Sequence, residues 1–441
     1  MSLMARAEHS CSGGSSASCE PKSHLSELLR ERVYERISAA EIAALAKTNS
    51  QLARSEIRSA CRQVFQEGAW DGVDTSHRTR LVGDLLDSIF GFGPIEGLLA
   101  DETITEIMVN ATNSVYFERE GLLVRSEYAF AETDQVRALI DRIIGPLGRR
   151  VDEASPTVDA RLPQGHRVHA IIPPLAVDGP FLTIRKFAVR VMTLEEMVDA
   201  GSLDRQMRQL LVWAVCARMN IAVSGGTGTG KTTLLNALSC KIPQQERIIT
   251  IEDSAELRFQ EHPHVVRLEA RPRNAEGVGE VTIRDLVICA LRMRPDRIVV
   301  GECRGAEALD MLQAMNTGHD GSLTTLHANA PDEAVMRLTT MVRYGADLPV
   351  DVIESHIASA IDVIVQIARG ADGVRFVSKI AELSHVKDHR GCRVSLLYEK
   401  ASSDERGCWV AFPRWLAHLE RKGIARFEEV KQWEDQVQLR G

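Results

Sequence analysis

The chain has 441 residues, 44% of them hydrophobic, and a formal net charge of −8. That length predicts two or three domains rather than one, and the acidic balance argues against general affinity for nucleic acid, though a local basic channel could hide inside it. Nine cysteines without a C-x-x-C pair argue against a tetracysteine zinc site and read as a reduced, cytosolic chain.

Residues 1–22 are polar and rich in Ser, Gly and Cys, which predicts a disordered tail and no signal peptide. Residues 23–90 form a helical region, with Leu25, Leu28, Leu29 and Val33, then Ile57 and Val64, at helical spacing. The more apolar run 81–90 (LVGDLLDSIF) is expected to pack on the next domain. Gly91, Gly93 and Pro94 break that helix. Residues 91–190 predict a small α+β domain, with strands at 106–109, 114–118, 122–128, 157–162, 167–172 and 181–187 and a helix at 134–145. Residues 191–203 read as a linker. Residues 204–385 alternate strand and helix, which predicts a parallel sheet covered on both faces, with strands at 220–224, 247–251, 297–301, 322–326 and 361–367. Residues 386–441 form a tail with Trp409, Trp415 and Trp433 but no legible motif. There is no internal repeat, and no apolar run approaches the roughly 20 residues that span a bilayer.

The chemistry gathers in the parallel domain. NIAVSGGTGTGKTTLLN (220–236) is a strand, a glycine turn and a helix start, and it fits G-x-x-x-x-G-K-[ST]. Gly225, Gly226, Thr227, Gly228, Thr229 and Gly230 would turn backbone N–H groups onto phosphate oxygens, and the helix running through Lys231, Thr232 and Thr233 aims its positive end at the same anion. Lys231 would reach the β- and γ-phosphates of ATP, and the Thr232 hydroxyl would hold Mg²⁺. Ligands of parallel sheets lie beyond the carboxyl ends of the strands, so polar residues at those ends are candidates. RIITIEDSAEL (247–257) ends in Glu252 and Asp253, with Glu256 one turn on. RPDRIVVGECRG (294–305) has Gly301 where a standard second nucleotide motif carries Asp, so acidic function falls to Glu302 together with Glu252, Asp253 or Glu256. Glu302 would position the attacking water and Glu256 is the second choice. The competing reading for each is a carboxylate at a helix start, weaker for Glu302 than for the others. NTGHDGSLTTLHANAP (316–331) places His319 before a strand and His327 after it, both candidates to sense the γ-phosphate. No third ligand suggests a metal at that pair. In the α+β domain, Arg161, Arg167 and Arg185 would clamp nucleotide, or else blunt strand edges with charge.

GGTGTGKTT (225–233), TIEDSAEL (250–257), RPDRIVVGECRG (294–305) and TGHDGSLTTLHAN (317–329), in this order, resemble the secretion ATPase superfamily of type II secretion, type IV pilus and type IV secretion systems. Gly-Glu in place of Asp-Glu is that superfamily's habit. GFGPIEGLLADETITEIMVN (91–110), VDEASPTVDARLP (151–163) and IIPPLAVDGPFLTIRKF (171–187) are similar to the CpaF-like ATPases of Tad/Flp pilus assembly. The similarity spans roughly 80–385.

The resemblance implies an α/β fold: a RecA-like P-loop ATPase domain behind a smaller α+β N-terminal domain and a helical region. It implies a homo-hexamer with nucleotide between the domains. Glu302 matches the Walker B glutamate, Glu252, Asp253 and Glu256 the Asp box, and His327 the His box. Arg167 and Arg185 resemble arginines that reach the nucleotide from the N-terminal domain. The implied cofactors are ATP and Mg²⁺, with Thr232, Glu252, Asp253 and Glu302 around the metal. The implied partners are inner-membrane platform proteins, which would hold a cytoplasmic ring at the membrane without a transmembrane segment of its own. Cys303 stands where such proteins more often have a small aliphatic residue, which implies thiol sensitivity. The implied function is a motor for pilus assembly or secretion of the Tad/Flp type. A type IV secretion traffic ATPase is the alternative, and a RecA-like nucleic-acid motor or a nucleotide switch lies further off. A nucleic-acid motor would need stacking aromatics, and only 5% of this chain is aromatic.

Overall fold

The computed structural model describes residues 20–437, apart from 68–69, 71, 113, 120, 128, 131, 188–190, 260–261, 272, 274–277 and 387–390. The expected disordered tail falls outside the described residues, except that 20–22 begin a helix. The chain divides into two units, Met1–Phe187 and Ala188–Gly441.

The first unit opens with helices α1 (Glu20–Tyr34), α2 (Ala39–Thr48), α3 (Ser50–Val64) and α4 (Thr75–Phe90). Ser38, Asn49 and Asp74 begin α2, α3 and α4, each accepting a backbone N–H of the first turn and so satisfying a donor the helix cannot. Apolar residues three or four apart meet inside: Leu29, Val33, Ile57, Cys61, Val64, Leu81, Leu85 and Leu86 close around Trp70. The apolar run 81–90 therefore turns its buried leucines into the helical core, not onto the next domain as expected. Its C-terminal end is tied there instead, since Arg142 donates to the carbonyls of Ser88 and Gly91.

The rest of this unit is α5 (Glu96–Ala100), β1 (Ile104–Asn110), β2 (Val115–Arg119), β3 (Leu122–Arg125), α6 (Thr133–Ile144), β4 (Thr157–Arg161), β5 (Arg167–Ile171) and β6 (Phe181–Arg185). The six strands form one antiparallel sheet in the order β3-β2-β1-β6-β5-β4. Alternation sends Ile107, Val168 and Ile184 to one face, where Val136, Ile140 and Ile143 of α6 join their core. The other face carries a row of charges in register: Arg161 opposite Arg167, Arg167 opposite Arg185, and Arg185 opposite Glu106.

The second unit holds α7 (Leu194–Asp199), α8 (Arg205–Cys216), β7 (Ile221–Gly225), α9 (Lys231–Ser239), β8 (Ile248–Glu252), β9 (Val265–Glu269), α10 (Ile283–Ala290), β10 (Arg297–Val300), α11 (Glu307–Asn316), β11 (Leu323–Leu326), α12 (Pro331–Gly345), α13 (Val350–Ala360), β12 (Val363–Arg369), β13 (Arg375–His385), β14 (Cys392–Glu399), β15 (Cys408–Trp409) and α14 (Phe427–Gln436). Nine strands lie in the order β15-β14-β13-β12-β7-β11-β10-β8-β9. The six from β12 to β9 are parallel and the last three antiparallel. Among the five strands predicted from sequence, the order counted along the chain is 5-1-4-3-2. This is the RecA-like arrangement, with helices on both faces. Asn220 fixes the bottom of the sheet: its Oδ1 accepts from the backbone of Gly321 and Ser322, and its Nδ2 donates to Ala360.

The segment beyond 385 is part of this sheet. β14 and β15 extend it, and Trp409, Trp415 and Trp433 enter the core that also holds Trp213 of α8 and Leu235 of α9. Trp433 stacks edge-on against Trp213 and Trp409 at centroid distances of 6.2 and 5.2 Å, and its indole N–H donates to the Gln206 carbonyl. No helix among the described residues is long and apolar enough to cross a membrane.

Candidate active site

Strand order gathers the motifs. β11 lies between β7, which leads into the glycine loop, and β10, which leads into Glu302. His327, one residue past β11, therefore stands between Lys231 and Glu302. Its Nδ1 is 3.4 Å from Lys231 Nζ and its Nε2 is 3.0 Å from Glu302 Oε1. The second contact has ion-pair range without hydrogen-bond alignment, so Glu302 Oε1 is buried with no hydrogen-bond donor.

The loop from Gly225 to Gly230 needs its glycines for space and for backbone hand. A Cβ on Gly225 would collide with the Ile367 carbonyl oxygen and lie 2.8 Å from Thr229 Oγ1. Gly228 and Gly230 have φ of 70° and 97°, left-handed values that only glycine adopts without strain. Thr229 Oγ1 donates to the Gly226 carbonyl, Gly226 is half-buried, and Thr227 is exposed. Lys231 is buried and folds back, donating to the carbonyls of Gly225 and Gly226 at 3.1 and 2.7 Å. Burial lowers its pKa, and the nearby Glu302 opposes that shift. Thr232 and Thr233 follow in the first turn of α9, half-buried.

Burial pushes the Glu302 carboxyl up, but the hydrogen bond and charge of Arg304, with Lys231 beside it, outweigh that and hold the group below the usual carboxylate range. Arg304 is the main counter-charge: its Nη2 is 2.6 Å from Glu302 Oε2 and its Nη1 is 3.6 Å from Asp253 Oδ2. His327 is held below its ordinary pKa by burial and then by Lys231, so it is neutral at pH 7. Sequence reading passed over Arg304. It lies two residues after Glu302 in the irregular chain between β10 and α11, and only the folded path of that segment brings it back to the carboxylate.

Glu252, expected around the metal, is buried at the end of β8. Its carboxylate turns under the following loop, where Oε2 accepts the N–H groups of Glu256 and Leu257 at 2.7 and 2.9 Å. Burial raises its pKa to about 6. Its side chain runs across Gly301, so that a Cβ there would stand 2.8 Å from Glu252 Cγ. A side chain at 301 would therefore have to displace Glu252. Glu256 is half-buried and Asp253 exposed at the rim. His319 also departs from expectation: it precedes β11, its Nδ1 contacts the Ala314 carbonyl, and β11 separates it from His327 and the glycine loop. Cys303 is buried and its thiol pKa is raised by that burial, contrary to the expected thiol sensitivity.

In the first unit, Arg161 donates to the Gly165 carbonyl and lies over the Phe187 ring, while Arg167 and Arg185 continue the charged row. No cluster of three or more His, Cys, Asp or Glu side chains fit to hold a metal occurs among the described residues. The donors that fit Mg²⁺ are hard oxygens at the loop: the Thr232 hydroxyl and the donorless Oε1 of Glu302. Glu252 Oε2 is engaged by two N–H groups, but its Oε1 is, like Glu302 Oε1, buried without a hydrogen-bond donor.

Comparison with known proteins follows the same lines. The family described as type II/IV secretion system protein matches residues 89–403. A putative conjugal transfer protein of Mycobacterium tuberculosis is 42% identical over 305 residues, covering 68% of this chain and 86% of that protein. The type IV secretion system protein PtlH of Bordetella pertussis is 36% identical over 297 residues, covering 62% of this chain and 88% of that protein. Among solved structures, the VirB11 ATPase of the Brucella suis type IV secretion system is 31% identical, covering 68% of this chain and 96% of that one, with a TM-score of 0.36.

Proposed function

The chain belongs to the type II/IV secretion system protein family, and we propose that it hydrolyses ATP to ADP and phosphate to drive a type IV secretion machine. The observation that carries this reading is the Lys231–His327–Glu302 line across the mouth of the glycine loop.

In this reading the loop N–H groups of 225–233 and the α9 dipole hold the β- and γ-phosphates. Lys231 leaves the Gly225 and Gly226 carbonyls for phosphate oxygens. Glu302, kept ionised by its cationic neighbours, orients the attacking water and accepts its proton. Neutral His327 bridges Lys231 and Glu302 and so reports whether the γ-phosphate is present. Mg²⁺, held by Thr232 and Glu302 Oε1, would supply charge neutralisation at the phosphates. Glu256 and Asp253 stand at the rim, and Arg161, Arg167 and Arg185 give the first unit an anion-binding row. A homo-hexamer docked on inner-membrane platform proteins from the cytoplasmic side completes the proposal.

Type IV secretion is supported by the relatives, which are a putative conjugal transfer protein and a type IV secretion system protein. A Tad/Flp pilus motor is the second reading, favoured by the blocks at 91–110, 151–163 and 171–187. The test has two steps. Lys231→Ala is expected to abolish ATP hydrolysis, and Glu302→Gln to stop turnover while ATP binding persists; unchanged turnover in either variant sinks the site. Tagged Glu302→Gln protein is then recovered from host membranes solubilised with ATP and Mg²⁺. Co-purifying conjugation-channel components support type IV secretion, whereas platform proteins with a pilin precursor move the chain to pilus assembly. DNA-bound proteins without a membrane partner overturn both.

A further inference from the structure

We propose that Arg375, on the β12–β13 hairpin, is a phosphate-contacting residue of the nucleotide site; the proposal rests on the reading of residues 225–233 as a phosphate loop. β12 runs parallel to β7 with Ile367 opposite Gly225, so the chain after Ile367 rises beside the loop. It turns through 370–374 and returns with Arg375 opposite Arg369. Asp372 holds the turn, accepting from the Val374 N–H at 3.0 Å and from the Ser403 hydroxyl at 2.9 Å.

Arg375 Nε donates to the Gly228 carbonyl at 3.1 Å, and its Cδ lies 3.3 Å from where a Cβ on Gly230 would stand. One of five guanidinium N–H groups is thereby used. The other four lie on the two terminal nitrogens, whose fork matches phosphate oxygens. Among the described residues no carboxylate pairs with Arg375, which is exposed. The contrast with Arg304, engaged by Glu302 and Asp253, is direct. Arg369 and Arg375 face each other across the hairpin, and like charges so placed repel. A polyphosphate in the loop relieves that repulsion. It also takes a second cation beside Lys231, anchored to the loop backbone before the ligand arrives.

The test measures dissociation constants for MgATP and MgADP on the full chain, with KM and kcat, for Arg375→Ala, Arg375→Lys and Lys231→Ala. Loss of a charge-assisted bond to phosphate is expected to weaken both nucleotides roughly 10- to 100-fold in Arg375→Ala. KM should rise accordingly with kcat nearly unchanged, and Arg375→Lys should recover part of the loss. Arg375→Ala binding nucleotide as wild type does, while Lys231→Ala abolishes binding, overturns this proposal alone. Wild-type affinity in Lys231→Ala overturns the phosphate-loop reading and this proposal with it.

Discussion

Gly301→Ala puts the packing of Glu252 across Gly301 to a direct test. The added Cβ would stand 2.8 Å from Glu252 Cγ, closer than carbon atoms tolerate, while its 3.5 Å to Glu252 Cβ is an ordinary contact. Two responses are open. Glu252 stays and the site strains, at about 1–3 kcal/mol for one extra methyl in a packed interior. Otherwise Glu252 swings away and gives up the Glu256 and Leu257 N–H bonds, at about 1.5–3 kcal/mol each for bonds to a charged group. The cheaper route sets the expected loss at about 2 kcal/mol, or roughly 4–8 °C for a unit of this size. The assay is thermal unfolding of the full chain, read on the transition that MgATP raises. The same substitution in a Glu252→Ala background removes Cγ and should lower the midpoint by no more than about 1–2 °C further, about 0.5 kcal/mol. No loss in Gly301→Ala, or an equal loss in both backgrounds, refutes the argument.

Glu252 also predicts a pH dependence. Its native carboxyl titrates at about 6 against an ordinary 4.5, so the folded state holds the proton more tightly than the unfolded one. The favourable contribution is full below about 4.5 and is lost as pH rises through about 6, a change of about 2 kcal/mol. The stability of Glu252→Gln relative to wild type should therefore grow across that window and level off above it; a flat difference refutes the assignment. An alkylating reagent should modify exposed Cys240 and Cys289 in the native chain and leave buried Cys303 untouched. Early labelling of Cys303, read by peptide mass spectrometry, would contradict its placement. Trp433→Ala should lower unfolding free energy by about 3–5 kcal/mol, since a large buried side chain leaves a cavity. A loss under about 1 kcal/mol in denaturant unfolding would show that the residues after 385 do not share the core.

The strand, glycine turn and helix at 220–236 were legible because their chemistry fixes both residue types and spacing. The ends of β8, β10 and β11 were legible because parallel strands present their carboxyl ends to ligand. What sequence could not give is the direction a side chain takes there. Glu252 and Glu302 both follow apolar strands, yet one turns under its own loop and the other faces Lys231. His319 and His327 sit in one glycine-flanked motif, but the strand between them carries them to its opposite ends. Arg375 has no motif at all; only the register of β12 on β7 brings it to the loop. β9 was missed because a half-buried edge strand mixes polar and apolar residues; β13 and β14 carry polar residues such as Lys379, Glu382 and Arg393 inside the sheet, which breaks the apolar run a buried strand should show, and β15 is too short to set a period.

The β14–β15–α14 segment changes what a shortened product of this chain would be. A premature stop or a proteolytic cut after His385 leaves every nucleotide motif intact on paper. It also strips three tryptophans from the face of α8 and α9 and exposes the β13 edge, with its unpaired N–H and C=O groups, to any passing strand. Such a fragment is expected to lose its fold before it loses any motif. The residues beyond 385 thus decide whether the glycine loop keeps the packed sheet that positions it.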